Sequence, residues 1–184
     1  SVAAAPVGVG GKRGVETMNA NLYVGSDIGR VIALDPSDPA YLQKLVGTVT
    51  EVFYEIVASQ PATRLGGVAD RISERMPDLV AVQEASLIRN QSPGDLVVGG
   101  STPATKVVYD YLTILVDALK ARGAHYAVAA STEEVDVEMP MFNMQTGTMD
   151  DVRLTDRDAI LVRTDLPPGQ LRVSNPQGGH FTSM

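Results

Sequence analysis

Apolar residues repeat at three- and four-residue spacing over the stretch from Leu42 to Met76, which predicts two amphipathic helices. A capping residue, Ser37 or Asp38, precedes Pro39 and marks the first helix start, and this helix should run to about Ala58. One face of it consists of Leu42, Leu45, Val46, Val49, Phe53 and Ile56. The second helix should begin at Pro61. Its apolar face consists of Leu65, Val68, Ala69, Ile72 and Met76.

The second helix leads into a short apolar run, Leu79–Val82, which is typical of a strand buried on both faces. This run ends abruptly on Gln83 and Glu84. A carboxylate removed from water costs several kcal/mol unless it meets a cation or hydrogen-bond donors. Glu84 is therefore either a metal ligand at a strand end or a rim carboxylate that faces solvent, and the local pattern leaves both readings open. A first strand is predicted upstream, over residues 15–23.

A polar loop is predicted over residues 89–94, and the Ser101-Thr102-Pro103 sequence predicts the start of a third helix. Gly123 is well placed as the left-handed C-terminal cap of that helix. The buried face of this helix should comprise Val107, Val108, Tyr111, Leu112, Leu115 and Leu119.

From residue 126 the apolar spacing changes to two, which predicts strands over residues 126–130 and 135–139. Asp136 and Glu138 should point to the same side, and a solvated strand face is favoured there over a second carboxylate metal site. The apolar runs on either side of Asp156-Arg157 suggest a hairpin that turns at this pair.

The composition is that of an ordinary globular domain, with 184 residues, 44% hydrophobic and 20% charged. Disordered and transmembrane classes are both disfavoured, since no apolar run approaches the roughly 20 residues of a spanning helix. The net charge of −7 argues against broad electrostatic capture of nucleic acid. It does not exclude a nuclease, because a bound divalent cation can supply local positive charge.

The chain contains no cysteine, so thiolate chemistry and disulfides are excluded and the redox compartment cannot be inferred. It begins Ser1-Val2-Ala3-Ala4-Ala5-Pro6, which fits either a mature end left by a signal peptidase or an expression boundary. A secreted or periplasmic location is expected. Residues 1–14 should form a flexible arm and residues 15–184 the folded domain.

Three blocks occur in an order that resembles the endonuclease/exonuclease/phosphatase superfamily, which has the deoxyribonuclease-I-like fold. The first is Met18–Asp27, the second is Pro77-Asp78-Leu79-Val80 followed by Gln83-Glu84, and the third is Thr155–Arg163. The resemblance implies that Glu84 and Asn21 hold the catalytic Mg²⁺ or Mn²⁺ and that Asn21, at the end of the first strand, also helps to orient the metal site. Asp27 and Gln83 are candidates for supporting these ligands, although Asp27 is more simply an Asx-turn residue.

The resemblance implies an α+β fold, the four-layer α/β sandwich of that superfamily, of which this chain would supply one β-sheet with its outer helices. The superfamily's Asn-Thr-His, Asp-x-Asn and Ser-Asp-His motifs are absent, and neither His125 nor His180 lies in a matching motif. A second polypeptide carrying the C-terminal half is therefore expected to complete the fold.

Two functions remain open at this point. The chain is either part of a metal-dependent phosphoester hydrolase (a phosphodiesterase, nuclease or phosphatase), inactive by itself, or a non-catalytic binding or assembly module derived from the same fold. Its partners should then be the second polypeptide and a phosphoester substrate, with no membrane span.

Overall fold

The computed structural model of the chain describes residues 14–167 and 169–179. The predicted flexible arm over residues 1–14 lies outside this part except for Gly14. The described residues form a mixed α+β fold with one six-stranded sheet and four α-helices, so the predicted α+β class is confirmed at that level.

The strands and helices alternate only in part along the chain. The strands are β1 (Thr17–Asn21), β2 (Leu79–Gln83), β3 (Leu87–Gln91), β4 (Lys106–Asp110), β5 (Tyr126–Asn143) and β6 (Thr148–Arg163). The helices are α1 (Gly29–Ile32), α2 (Tyr41–Ala58), α3 (Pro61–Arg75) and α4 (Tyr111–Ala121), with a short 3-10 turn at Leu96–Val98.

Strand β6 is the centre of the sheet. On one side it pairs along its whole length with β5, antiparallel, from Asn143 opposite Thr148 to Tyr126 opposite Arg163. On the other side β2 pairs with its C-terminal half and β3 with its N-terminal half. β1 adds to β2 in parallel and β4 adds to β3 antiparallel. The break between β2 and β3 therefore falls beside the middle of β6, and it contains Glu84.

Helices α3 and α4 cover one face of the sheet and form the main core with it. The side chains of Leu65, Ile72 and Leu115 are fully buried, as are Val80 and Leu161 on the strands beneath them. Because alternate strand residues point to opposite faces, the other face carries a different set. This set includes Leu79, Ala81, Ile160 and Val162.

Helix α2 packs on the distal half of the β5–β6 hairpin and forms a second, smaller core. Leu45 and Val49 of α2 are buried there against Met141 of β5. Thr50 also joins the two elements, since its hydroxyl accepts a hydrogen bond of 2.8 Å from the Phe142 backbone N–H.

The predicted helices at residues 37–58 and 61–76 are confirmed with small changes of boundary. Asp38 precedes α2 as expected of a helix-start residue, and its carboxylate accepts from the Ala40 backbone N–H at 2.8 Å. α2 itself begins at Tyr41. α3 begins at Pro61 as predicted.

The predicted start of the third helix is wrong. Residues 106–110 form β4, and the helix begins only at Tyr111, where Asp110 accepts a hydrogen bond from the Thr113 hydroxyl at 2.9 Å. Gly123, at φ +74°, takes the left-handed conformation predicted for it after the helix.

The predicted loop at residues 89–94 is also wrong in its first half, because Leu87–Gln91 is strand β3. The polar side chain of Arg89 is accommodated by Asp136 and Thr155 on the neighbouring strands. The predicted hairpin at Asp156-Arg157 is wrong as well, since both residues lie within the unbroken strand β6. Likewise the two strands predicted over residues 126–139 are one strand, β5, with bulges after Val128 and Glu133.

None of the helices in the described residues is both long enough and apolar enough to cross a membrane.

Candidate functional site

Strands β1 and β2 bring Asn21 and Glu84 to the same edge of the sheet. The strands are parallel, with Asn21 opposite Gln83, and the Leu22 N–H continues the ladder to the Gln83 carbonyl at 2.8 Å. The Asn21 side-chain amide (Nδ2) donates to Glu84 Oε1 at 2.7 Å. The structure therefore places these two strands side by side and brings these two side chains into direct contact.

Glu84 lies in the left-handed region of the backbone map, at φ +53°. This conformation is costly for a residue with a Cβ and persists where the surroundings fix it. Here the Glu84 carbonyl accepts from the Ser86 N–H at 2.8 Å, and the Ala85 N–H donates to the Arg157 carbonyl at 2.8 Å. The sheet thus holds the Glu84 backbone in a conformation that strand geometry alone would not produce.

The second carboxylate oxygen of Glu84 fixes the loop that follows β1. Oε2 accepts from the Val24 backbone N–H at 3.0 Å. In the same loop, Asn21 Oδ1 accepts from the Tyr23 N–H at 2.7 Å, and Tyr23 is itself at φ +55°. Asn21 and Glu84 therefore hold each other and the 22–24 loop in one hydrogen-bonded unit. A carboxylate has about four lone-pair sites, so both Glu84 oxygens retain capacity to accept more.

Three carboxylates, those of Asp27, Glu84 and Asp156, line an open pocket of about 350 Å³ at this edge. Tyr23, Ser26 and Ser86 also border the pocket. Asp27 Oδ1 accepts from the Gly29 backbone N–H at 2.9 Å, which is an Asx turn. Asp27 thus occupies both the position and the turn that the sequence suggested for it.

Asp156 is the least satisfied of these groups. Its Oδ1 atom is buried and has no hydrogen-bond partner among the described residues. Burial raises the pKa of Asp156 above its ordinary value, and the negative charge of Glu84 raises it further. A carboxyl group in this state is stabilised when it binds a proton or a cation.

A layer of buried groups supports the pocket from below. The Tyr111 hydroxyl donates to the Val24 carbonyl at 2.6 Å, and Arg64 Nη1 donates to the Leu22 carbonyl at 2.9 Å. The Arg64 guanidinium also lies 5.4 Å from the centre of the Tyr23 ring, a cation–π distance. α3 and α4 therefore position the 22–24 loop directly.

Arg157 supports the other side of the pocket, below Glu84. Its Nε donates to the Ala85 carbonyl at 2.9 Å, and Nη2 lies 2.5 Å from Asp110 Oδ1. Burial alone would raise the pKa of Asp110, but the hydrogen bond and charge of Arg157 lower it below its ordinary value. This ion pair joins the Glu84 turn to the start of α4.

The remaining predicted residues lie at the margin of the site. Gln83 is half-buried and lines a separate shallow pocket on the opposite sheet face, together with Gln177. The His125 carbonyl accepts from the Thr164 N–H at 2.9 Å, which ties the start of β5 to the end of β6. His180 lies outside the described residues.

The side-chain oxygen atoms at this edge are of the type that binds a hard divalent cation. Mg²⁺ prefers carboxylate and carbonyl oxygens and usually keeps several waters. Glu84, Asn21 and the unpartnered oxygen of Asp156 offer such atoms. Within residues 14–167 and 169–179, no group of three or more histidine, aspartate or glutamate side chains is arranged to hold a metal ion. The donor atoms are therefore of the right chemical type for a cation, but the described residues do not form a complete metal site.

Asp156 is the site residue that the sequence interpretation missed. The sequence predicts a turn at Asp156-Arg157, whereas β6 passes straight through this pair and places Asp156 beside Glu84. The signal that could have found it is the third block of the resemblance, Thr155–Arg163, which contains the pair.

Comparison of the chain with protein-family models, curated proteins and solved structures found no match.

Proposed function

We propose that this chain carries the Asn21/Glu84 part of a Mg²⁺ or Mn²⁺ site in a metal-dependent phosphoester hydrolase. The observation that carries the proposal is the hydrogen bond of 2.7 Å between Asn21 and Glu84 at the ends of two parallel strands. The three sequence blocks that resemble the endonuclease/exonuclease/phosphatase superfamily also meet at this edge, because β6 contributes Asp156 to the same pocket.

In this function Glu84 is the metal ligand and Asn21 orients its carboxylate. The metal, when bound, would neutralise charge on a phosphate oxygen and stabilise the charge that develops during hydrolysis. Of the two predicted supporting residues, only Asp27 shares the pocket with Glu84, whereas Gln83 lines the pocket on the opposite sheet face. Asp156 supplies a second carboxylate that favours a cation over an anion in the pocket.

A second polypeptide with the C-terminal half of the fold is part of the proposal. In the described residues the packed helices lie on one sheet face, whereas the opposite face leaves Ile160 39% exposed among Leu79, Ala81 and Val162. Completion of a four-layer sandwich would bury this face and bring the histidine and aspartate that prepare water for attack. The substrate would be a phosphodiester or phosphomonoester, and the secreted or periplasmic location stays a prediction.

One observation favours the alternative, a non-catalytic binding or assembly module. Both Glu84 oxygens already accept hydrogen bonds within the chain, from Asn21 and from the Val24 N–H. A carboxylate so engaged can act purely as a clamp for the 22–24 loop. Glu84 would then be needed for stability and would have no affinity for metal.

The test uses the native assembly, isolated through a tag on this chain and assayed with bis(p-nitrophenyl) phosphate in the presence and absence of Mg²⁺. Wild type should hydrolyse the ester only with metal. Glu84→Gln should reduce the rate by at least about a hundredfold, the order expected for loss of a group that stabilises the transition state. Glu74→Gln, the same chemical change on the exposed side of α3, is the matched control and should retain activity.

Sequencing of the co-purified polypeptide separates the two functions independently of activity. The hydrolase proposal expects Asn-Thr-His, Asp-x-Asn and Ser-Asp-His in that polypeptide. An assembly without metal-dependent hydrolysis, whose partner lacks these motifs, would leave the binding module as the function.

A further inference from the structure

A second cavity lies directly beside the Glu84 pocket and has the opposite chemical character. It encloses about 210 Å³ between α1, α2 and the distal half of the β5–β6 hairpin, and we call it the apolar slot. All thirteen residues that line it are apolar. Its floor is buried, with Val52 and Ile56 of α2 facing Ile88 of β3, each less than 8% exposed.

The mouth of the apolar slot is open and equally apolar. Ile32 is 79% exposed, Val135 48% and Val137 38%. An apolar cavity of about 150 Å³ stays free of water and binds small hydrocarbons, and the slot is larger than this. Exposed aliphatic side chains around an unfilled cavity indicate a binding groove.

The apolar lining of the slot determines which chemical class of ligand can bind in it. An extended peptide segment would bring backbone N–H and C=O groups that find no partner there, at a cost of several kcal/mol. A hydrocarbon chain has no such groups and gains free energy from every methylene it buries.

The position of the slot determines which polar head group a hydrocarbon ligand should have. Ile28 and Leu154 line both the slot and the Glu84 pocket, so the two cavities adjoin at these residues. A chain in the slot would place its head beside Glu84, Asp27 and Asp156, with the Tyr23 ring at the border. Carboxylates and an aromatic ring favour a cationic head.

We propose that the apolar slot binds the alkyl chain of a single-chain cationic amphiphile, with its ammonium head in the Glu84 pocket. Binding to the slot needs neither a metal nor a second polypeptide. It is therefore separate from the hydrolase function, and each can fail without the other.

The test is calorimetric titration of this chain with butyl-, hexyl- and octylammonium below their micellar concentrations, in a metal-free buffer with a chelator. Each added methylene should tighten one-to-one binding by about fourfold until the slot is full. Octyl sulfate should bind at least about tenfold more weakly than octylammonium, because its head meets like charge. Affinity that does not depend on chain length, or equal affinity for the two heads, would overturn the proposal.

Two variants locate the site. Val137→Phe should fill the slot and weaken octylammonium binding by about tenfold or more, whereas Val128→Phe is the matched control on the same strand outside the slot. Ile32→Ser changes only an exposed rim residue, so folding is preserved, and it should weaken binding several-fold. Equal loss in Val137→Phe and Val128→Phe, or no loss in Ile32→Ser, would contradict the placement.

Discussion

Asp136 and Asp156 lie one step apart on the β5–β6 ladder and show opposite behaviour. Asp136 is opposite Thr155, and Asp156 is opposite Val135, so the two side chains point to opposite faces of the sheet. Asp136 accepts from Arg153 Nε at 2.9 Å and from the Thr155 hydroxyl at 2.7 Å. Asp156 has a buried oxygen without a partner among the described residues.

The pKa values of the two groups follow from this difference. Hydrogen bonding from Arg153, supported by Thr155, lowers the pKa of Asp136 from 3.8 to about 2. Burial, reinforced by Glu84, raises the pKa of Asp156. Paired carboxylates stabilise the sheet, whereas a carboxylate with a buried, unpartnered oxygen beside a second carboxylate costs stability and is a candidate for function. The Asp136 cluster therefore has the features of a structural ion pair, and the Glu84 pocket has those of a candidate site.

The largest effect on stability is expected at Arg157, which anchors the Glu84 pocket. Arg157→Ala would remove the donor to the Ala85 carbonyl and leave Asp110, whose side chain is 26% exposed, without its cation. We expect a loss of about 2–3 kcal/mol in the free energy of unfolding, somewhat below the cost of breaking a fully buried pair. Urea denaturation measures it.

The control for Arg157→Ala is Arg122→Ala, which removes a more exposed pair with Asp70. That variant should lose much less stability than Arg157→Ala, because surface ion pairs contribute little. Equal losses in the two variants would mean that Arg157 does not anchor the pocket.

A smaller loss of folding stability is expected from Asp136→Asn. The depressed pKa of Asp136 means that its carboxylate stabilises the fold above about pH 4, and that this contribution is lost as the pH falls through about 2. After allowance for solvent screening, the variant should lose about 1 kcal/mol at pH 7. The difference from wild type should shrink steadily in acid, as followed by thermal unfolding. A difference that does not change with pH would contradict the ion-pair interpretation.

The smallest change in stability is expected from Asp156→Asn, and its sign is opposite, because this variant should be more stable than wild type. A raised pKa means that the folded state favours the protonated form, so Asp156 costs stability as the pH rises from its ordinary value through the raised one. The variant should therefore melt slightly above wild type at pH 7 and match it below about pH 3, where both states are protonated.

Asp117→Asn, an exposed position on α4, is the control for that comparison and should leave the melting temperature unchanged at both pH values. A lower melting temperature for Asp156→Asn at pH 7 would show that the hydrogen bonding of this carboxylate outweighs the cost of its burial beside Glu84, and would contradict the account.

The helices that the sequence predicts well are those in which the regular apolar stripe and the helix cover the same residues. α2 and α3 meet this condition, so their positions follow from the spacing of Leu45, Val49, Leu65 and Ile72. The stretch before α4 does not, although Ser101-Thr102-Pro103 has the sequence of a helix start. Val107 and Val108 extend the apolar stripe of α4 backwards, but they are β-branched and pair with β3, which local spacing cannot reveal.

The polar residues within strands explain the other errors. Arg89, Asp156 and Arg157 have the composition of loops, yet they occur inside β3 and β6. Their partners are distant in sequence, such as Asp136 for Arg89 and Asp110 for Arg157. Only the fold brings these partners together, so periodicity assigned the residues to turns.

For the candidate site, the resemblance assigned Asn21 and Glu84 to one metal site, and the structure brings their side chains into contact. The sequence could not predict the left-handed backbone of Glu84 or the contribution of Asp156 to the pocket, since both depend on how β2, β3 and β6 meet. The apolar slot is likewise a product of packing, because α2 and the hairpin that form it are far apart along the chain.

The central claim is that Glu84 and Asn21 form part of a divalent cation site, and paramagnetic broadening by Mn²⁺ tests it most directly. In a titration of the ¹⁵N-labelled chain, the backbone amide signals of Val24, Ala85 and Ser86 should broaden first. Glu84→Gln should abolish this broadening, and Glu74→Gln should leave it intact. Broadening centred elsewhere, or unaffected by Glu84→Gln, would contradict the claim and leave Glu84 as the clamp of the 22–24 loop.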